Sequence, residues 1–284
     1  MKLASILYRD EALYGQVKAG IFYPAQSALT ARYPTLKALI MSGALDQLKS
    51  AQTEPSGGLN LDQVTFLTPI PDAGKIICIG MNYRKPYPVD GVAPPDPSNI
   101  IMFGKERETL IGHGQTLDIP TGDAAKSFDY EGEIAVVIGK AGRHIQEDAA
   151  LEHVLGYSVL NDGSVREWQK HSIYAGKNFA RSGAWGPWIC TADEIGDPAK
   201  LRLTTDLNGD RMQDTTADQM IYSIAAQISY ASHLFMLAPG DVIATGSPDG
   251  TGGSRTPKRF LRAGDTLEIT VSEVGSLRNI ISPV

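Results

Sequence analysis

The chain has 284 residues, 42% of them hydrophobic and 20% charged, the composition of a folded globule with a sizeable core and not of a disordered or coiled-coil chain. Its 26 Lys and Arg against 32 Asp and Glu leave a net charge of -6. The basic residues form no stripe, which argues against nucleic acid as a partner.

In chain order, Arg9, Asp10 and Glu11 cut the first apolar segment too early for a signal peptide, and a cytoplasmic protein is expected. A polar stretch over residues 53–60 precedes a region dense in strand signals. That contrast predicts a small N-terminal domain over residues 1–70 and a main domain over 71–284. Short buried strands are predicted at 75–80, 134–139 and 154–160, each ending at Gly, Asn or Asp. The alternating run 201–207 leads into Asn208-Gly209, the strongest short-range hairpin signal. Apolar residues at three- and four-residue spacing predict one helix from Ile221 to Phe235, capped by a preceding Thr/Asp cluster and ended by Pro239-Gly240. Strands at 241–245 and 266–271 flank a Gly-rich loop at 246–253. The pattern is mainly β with some α. No apolar run approaches the roughly 20 residues that cross a membrane, and Cys78 and Cys190 lie in apolar segments as buried free thiols.

The sharpest chemical feature is Asp129-Tyr130-Glu131-Gly132-Glu133, running directly into Ile134. In a strand, Glu131 and Glu133 project from one face. Two such carboxylates repel unless a cation or a retained proton intervenes, and a hard divalent ion suits oxygen ligands. Asp162, at the end of another apolar strand, is the candidate third ligand. Spacing alone leaves open a solvated strand face, with Asp162 only capping a short helix that carries Arg166 and Gln169 one turn apart. The loop at 246–253 can offer backbone N–H groups to a carboxylate or be a plain connection. It lacks the Lys-Ser/Thr ending of a P-loop, and neither zinc spacing nor a Gly-x-Ser-x-Gly elbow occurs.

Together with Asn82-Tyr83, Asn161-Asp162, Gly176-Lys177, Gly186-Pro187-Trp188, Asn208-Gly209, Pro239-Gly240-Asp241, Thr245-Gly246 and Leu277-Arg278-Asn279, the acidic run resembles the fumarylacetoacetate hydrolase family. The resemblance spans residue 70 to the C-terminus. It implies a mixed β-roll core following a small N-terminal α+β domain, a homodimer, and Mg²⁺ or Mn²⁺, with Ca²⁺ as an option, held by Glu131, Glu133 and Asp162. By the same resemblance, Lys177 and Gln169 stabilise an enolate or oxyanion and Arg166 orients the site. Tyr83, Lys105, Thr245, Gly246 and Ser247 would contact a 2-oxo or 2,4-dioxo acid.

The chain departs from hydrolytic members at one place: Pro86 stands where their water-activating histidine is expected, and the accompanying glutamate is missing as well. Prolines 86, 88, 94, 95 and 97 would stiffen this segment into a rim or lid. Asp90, His113 and His171 are the candidate replacements. The leading expectation is C–C hydrolysis of a 2,4-dioxo acid. The alternative is a lyase-type reaction, namely decarboxylation of an oxaloacetate-type acid or dehydration or tautomerisation of a 2-oxo acid. A third reading is a non-catalytic sensor of such acids.

Overall fold

The apolar run after the acidic motif becomes the strand Gly132–Ile138, buried at every position. Its continuous hydrophobicity, without alternation, follows from being covered on both faces. The computed structural model describes residues 1–50, 57–84 and 95–283; Pro86, Pro88, Asp90 and Pro94 lie outside them. On one side the strand pairs antiparallel with Val154–Asn161, and on the other with Val242–Ala244. Val242–Ala244 in turn runs parallel to Ile76–Gly80, which pairs with Ile101–Gly104.

Beyond Val154–Asn161 lies Gly183–Thr191, and then the N-terminal strand Lys2–Tyr8, with Lys2 opposite Cys190. Hydrogen bonding therefore runs from the first strands of the chain into the sheet that carries the acidic motif. Three short helices, Ser27–Arg32, Leu36–Met41 and Leu45–Ser50, follow the N-terminal strands. Leu36, Leu39 and Ile40 pack under Ala135 and Val137 on one face of that sheet. On the other face Ile134, Val136 and Ile138 meet Leu203, Leu267, Ile269 and Leu277 of a second sheet. That sheet is ordered Asp210–Thr216, Arg202–Leu207, Thr266–Val271, Gly275–Pro283, Thr116–Ile119. The architecture is the mainly β, mixed-sheet fold expected.

The hairpin falls where Asn208-Gly209 places it: both residues have positive φ, 56° and 89°, as a two-residue turn matched to strand twist requires. The long helix is Ile224–Leu234. Ser223 caps it through Ala226 N–H, not the earlier Thr/Asp cluster, which enters the end of strand Asp210–Thr216 and a 3₁₀ turn. Phe235 ends it in extended backbone, ahead of Pro239. Cys78 and Cys190 are free and buried. Among the described residues no helix is long and apolar enough to cross a membrane.

Strands Ile76–Gly80 and Val242–Ala244 both lead into loops around the acids, and buried Asp241 locks them in register. Its carboxylate accepts from Lys75 N, Lys75 Nζ and Ala238 N, each at 2.8 Å. Asp241→Ala leaves buried N–H groups unpaired and should lower the unfolding free energy by about 1–3 kcal/mol. Urea denaturation followed by fluorescence measures it, and an unchanged midpoint would remove Asp241 from the account of register.

Candidate active site

Three carboxylates reach one point from two neighbouring strand ends. Glu131 immediately precedes Gly132–Ile138, Glu133 is that strand's second residue, and Asp162 follows Val154–Asn161. The register sets Gly132 opposite Asn161. Asn161 Oδ1 accepts from Glu131 N at 3.0 Å, and Asp162 N donates to Glu131 O at 2.8 Å. One oxygen from each of Glu131, Glu133 and Asp162 lies within 4.8 Å of the others.

Like charges this close and this buried need counter-charges. Lys177, last residue of the helix Ile173–Lys177 that Ser172 caps, donates to Glu131 and, at 2.5 Å, to Asp162. Arg166 Nη1 donates to Glu131 at 2.5 Å, and its Nε to Asp129 at 2.7 Å. Burial pushes the Glu131 carboxyl up, but Arg166 and Lys177 hold it below the usual carboxylate range. Asp162 likewise is pushed up by burial and held low by Lys105 and Lys177. Burial would lower the Lys177 ammonium, yet Asp162 and Glu131 raise it above the ordinary lysine value. Glu133 forms no ion pair with any described residue: its carboxylate accepts from Gly246 N at 2.9 Å, and burial with Asp162 beside it drives its carboxyl well up.

The acids floor a pocket of about 310 Å³ whose wall includes Ile79, Ile101, Phe103 and Ile173. Arg166 and Gln169 both line it, because they sit in the 3₁₀ turn Arg166–Lys170, where residues three apart eclipse. That turn is not capped by Asp162. Ser164–Val165 first pairs with Phe128–Asp129, and the Asp162 carboxylate turns to the lysines instead. Tyr83 lines the pocket with its hydroxyl buried and without an aligned partner; burial and nearby Glu133 raise its pKa.

Several expected contacts fall elsewhere. Of Thr245, Gly246 and Ser247, Ser247 lines the pocket, while the Thr245 hydroxyl donates to Ile134 O at 3.0 Å and Gly246 N serves Glu133. Gly246 has φ 103°, and a Cβ there would stand 2.7 Å from Asn82 Cβ, so the turn demands glycine. Lys105 is beneath the site, not in its lining. Its ammonium is 2.8 Å from Asp162 Oδ1 and donates to the carbonyls of Lys177 at 2.5 Å and Gly163 at 3.3 Å. His113 sits in a separate hollow with Phe66 and Trp188, its Nδ1 accepting from Arg278 N at 3.1 Å. His171 is exposed, with its ring against Trp168. Neither histidine is brought to the acids.

The profile described as fumarylacetoacetate (FAA) hydrolase C-terminal matches residues 75–282. The chain belongs to the fumarylacetoacetate hydrolase family. It is 38% identical over 240 residues to the mitochondrial oxaloacetate tautomerase fahd2 of Xenopus laevis, covering 83% of this chain and 74% of that protein. It is 38% identical over 225 residues to the oxaloacetate tautomerase YisK of Bacillus subtilis, covering 78% and 74%. Maleylpyruvate hydrolase from Sphingobium sp. SYK-6, solved with manganese (II) ion and pyruvate, superposes with a TM-score of 0.81 at 27% identity, covering 100% of this chain and 99% of that one. The chain is thus an enzyme of a family whose named members here act on small organic acids.

The residues present fit a divalent cation. All three donors are carboxylate oxygens, as a hard ion prefers. Asp162 Oδ1 has the Lys105 ammonium at 2.8 Å but no aligned hydrogen bond, and Glu133 forms no ion pair with any described residue. Asp129, outside the expected ligand set, is the fourth acid of the cluster and its organiser. It accepts from Tyr130 N at 2.9 Å and from Gly252 N and Gly253 N at 2.8 Å each, besides Arg166. The signal was present, since Asp129 opens the acidic run. Gln213, whose Nε2 donates to Ser247 Oγ and Pro248 O at 2.8 Å each, had no such signal in the alternating hairpin.

Glu133→Gln keeps an oxygen for Gly246 N–H while removing a buried carboxyl whose charged form is disfavoured by burial and by Asp162. The metal-free variant should melt higher than the parent. Its Mn²⁺ affinity by titration calorimetry should fall by more than about tenfold, the loss that supporting residues alone produce. Unchanged affinity would remove Glu133 from the ligand set.

Proposed function

We propose that this enzyme is a divalent-metal-dependent keto–enol tautomerase of a small 2-oxo acid of the oxaloacetate type. One observation carries the reading: converging carboxylates and a lysine line the pocket, and no histidine does. All five histidines of the chain lie among the described residues. His113 and His171 are placed above, His144 and His233 face each other at 5.4 Å, and His153 Nδ1 is 2.9 Å from Lys140 O. Hydrolysis of a C–C bond needs a base to activate water. Tautomerisation needs no activated water: a proton moves between C3 and the C2 oxygen while the charge on that oxygen is stabilised. The two relatives named oxaloacetate tautomerase support the same choice.

A divalent ion held by Glu131, Glu133 and Asp162 would draw negative charge onto the carboxylate and keto oxygens of a 2-oxo acid and so favour its enolate. Lys177, kept protonated by its two carboxylate partners, serves as a donor and not as a base. Gln169 lines the pocket and makes no hydrogen bond to any described residue, and Arg166 keeps Nη2 buried and unpartnered. These groups are free to orient a carboxylate. The volume of about 310 Å³ sits at the small end of ligand pockets, which suits a four-carbon acid. C–C hydrolysis of a 2,4-dioxo acid is the second reading, favoured by the likeness to maleylpyruvate hydrolase.

The test follows the ultraviolet absorbance of enol-oxaloacetate with Mg²⁺ or Mn²⁺, then with excess EDTA. The enzyme should speed its decay beyond metal ion alone, release neither CO₂ nor pyruvate, and lose the effect with EDTA. Lys177→Met should lower kcat by about 10²-fold, the scale of losing one donor to a developing oxyanion. Faster release of pyruvate from acylpyruvates than tautomerisation of oxaloacetate would replace this reading with the hydrolytic one.

A further inference from the structure

Tautomerisation needs a group to carry the proton, and most ionisable side chains in the pocket are committed. Glu131 and Asp162 are each bonded to Lys177, and Glu131 also to Arg166. Glu133 completes the carboxylate cage. Lys177 and Arg166 are cations fixed on those acids. Tyr83 is a phenol, whose ordinary pKa of about 10 keeps it from serving as a base at neutral pH.

One acid remains. Asp249 lines the pocket half-buried and makes no hydrogen bond or ion pair to any described residue. Its backbone, by contrast, is held from both sides. Gln213 fixes Ser247 and Pro248 just before it. Just after it, Tyr130 Oη donates to Gly250 O at 2.9 Å, and Asp129 takes the N–H groups of Gly252 and Gly253. Gly250 itself has φ 99°, and a Cβ there would lie 2.0 Å from Met212 O. A surface loop without a task would not need this fixation. Asp249, Tyr83 and Pro248 also line the adjoining outer hollow, so the carboxylate stands between the pocket and solvent, where a proton can be exchanged with water.

We propose that Asp249 is the catalytic acid–base of this site, moving the proton between C3 and the C2 oxygen of the bound 2-oxo acid. The inference rests on the tautomerase reading. In the keto-to-enol direction an Asp249 oxygen takes the C3 proton. The C–H pair becomes the C2–C3 double bond, and the carbonyl pair moves onto the C2 oxygen. That oxygen then takes the proton back from Asp249 or from water, and nothing is oxidised or reduced. The reverse direction retraces these steps with Asp249 protonated.

The experiment uses the full chain with Mg²⁺. It measures exchange of the C3 hydrogens of oxaloacetate in D₂O by NMR, and binding of oxalate, a planar dianion resembling the enolate head, by calorimetry. Asp249→Asn should slow exchange and tautomerisation by about 10²–10⁴-fold, the usual contribution of a positioned acid–base. Oxalate affinity should stay within about threefold, because a residue acting only in the chemical step lowers kcat without weakening binding. Asp249→Glu should recover part of the rate. An Asn variant at full rate overturns the inference, and so does one that loses oxalate affinity in step with rate. If the parent protein binds oxalate but accelerates no exchange, the tautomerase reading fails first, which separates the two failures.

Discussion

Four buried or nearly buried carboxylates, Asp129, Glu131, Glu133 and Asp162, share one small volume with three cations, Lys105, Arg166 and Lys177. This unequal balance is the constraint on which the rest of the structure depends. Removing so many charges from water is costly unless each finds a partner at close range. Two parts of the cluster meet that condition, Asp129–Arg166–Glu131 and Glu131–Lys177–Asp162–Lys105. Glu133 does not. The excess negative charge lies on the Glu133 side, so a doubly charged ion there would turn the cluster net positive, which suits an anionic substrate. Glu133 itself lies in the fully buried strand Gly132–Ile138, with Glu131 and Asp162 directly beside it at strand ends.

The glycine-rich loop at 246–253 answers the same demand. Its backbone N–H groups do bind carboxylates, as its composition allows, but the carboxylates are the protein's own. Gly246 serves Glu133, while Gly252 and Gly253 serve Asp129. Asp129 and Tyr130, the two residues preceding Glu131, thereby tie loop and strand into one unit. The loop is held at the pocket by the motif whose charge it helps to stabilise. Preorganisation of this kind leaves little to rearrange when charge develops on a substrate.

What was legible in the sequence follows the range of the interaction. Period-two spacing placed Glu131 and Glu133 on one face, and the end of an apolar run placed Asp162 at a strand tip; both depend on local geometry and both hold in the fold. The Asn208-Gly209 hairpin is equally local. That Lys105 lies beneath the pocket and not in its lining is not legible locally, because its partners, Asp162, Gly163 and Lys177, lie more than fifty positions away in the chain. Asp162 looked like a helix cap because nothing in residues 162–169 shows that Ser164–Val165 pairs with Phe128–Asp129. His113 and His171 were near the site only in sequence. Asp249 was passed over as part of a connection, since its distinction is to be unpaired where its neighbours are all bonded. Only the assembled hydrogen-bond pattern reveals that.

The walls of the pocket argue in the same direction as its charges. Ile79, Ile101, Phe103 and Ile173 face the carboxylates and Lys177 across a narrow space, and an apolar wall strengthens each electrostatic contact by limiting the water that screens it. A hydrolytic site must admit a water, orient it and remove its proton, which calls for a polar recess with a base beside the scissile carbon. Here the lysine and arginine stand with the carboxylates they neutralise, and Asp249 lines both the pocket and the hollow outside it. That division concentrates stabilisation on a single developing charge and leaves proton exchange to the solvent side. Such an arrangement is what the proposed enolisation requires, since charge then moves within one molecule and no second reactant has to enter.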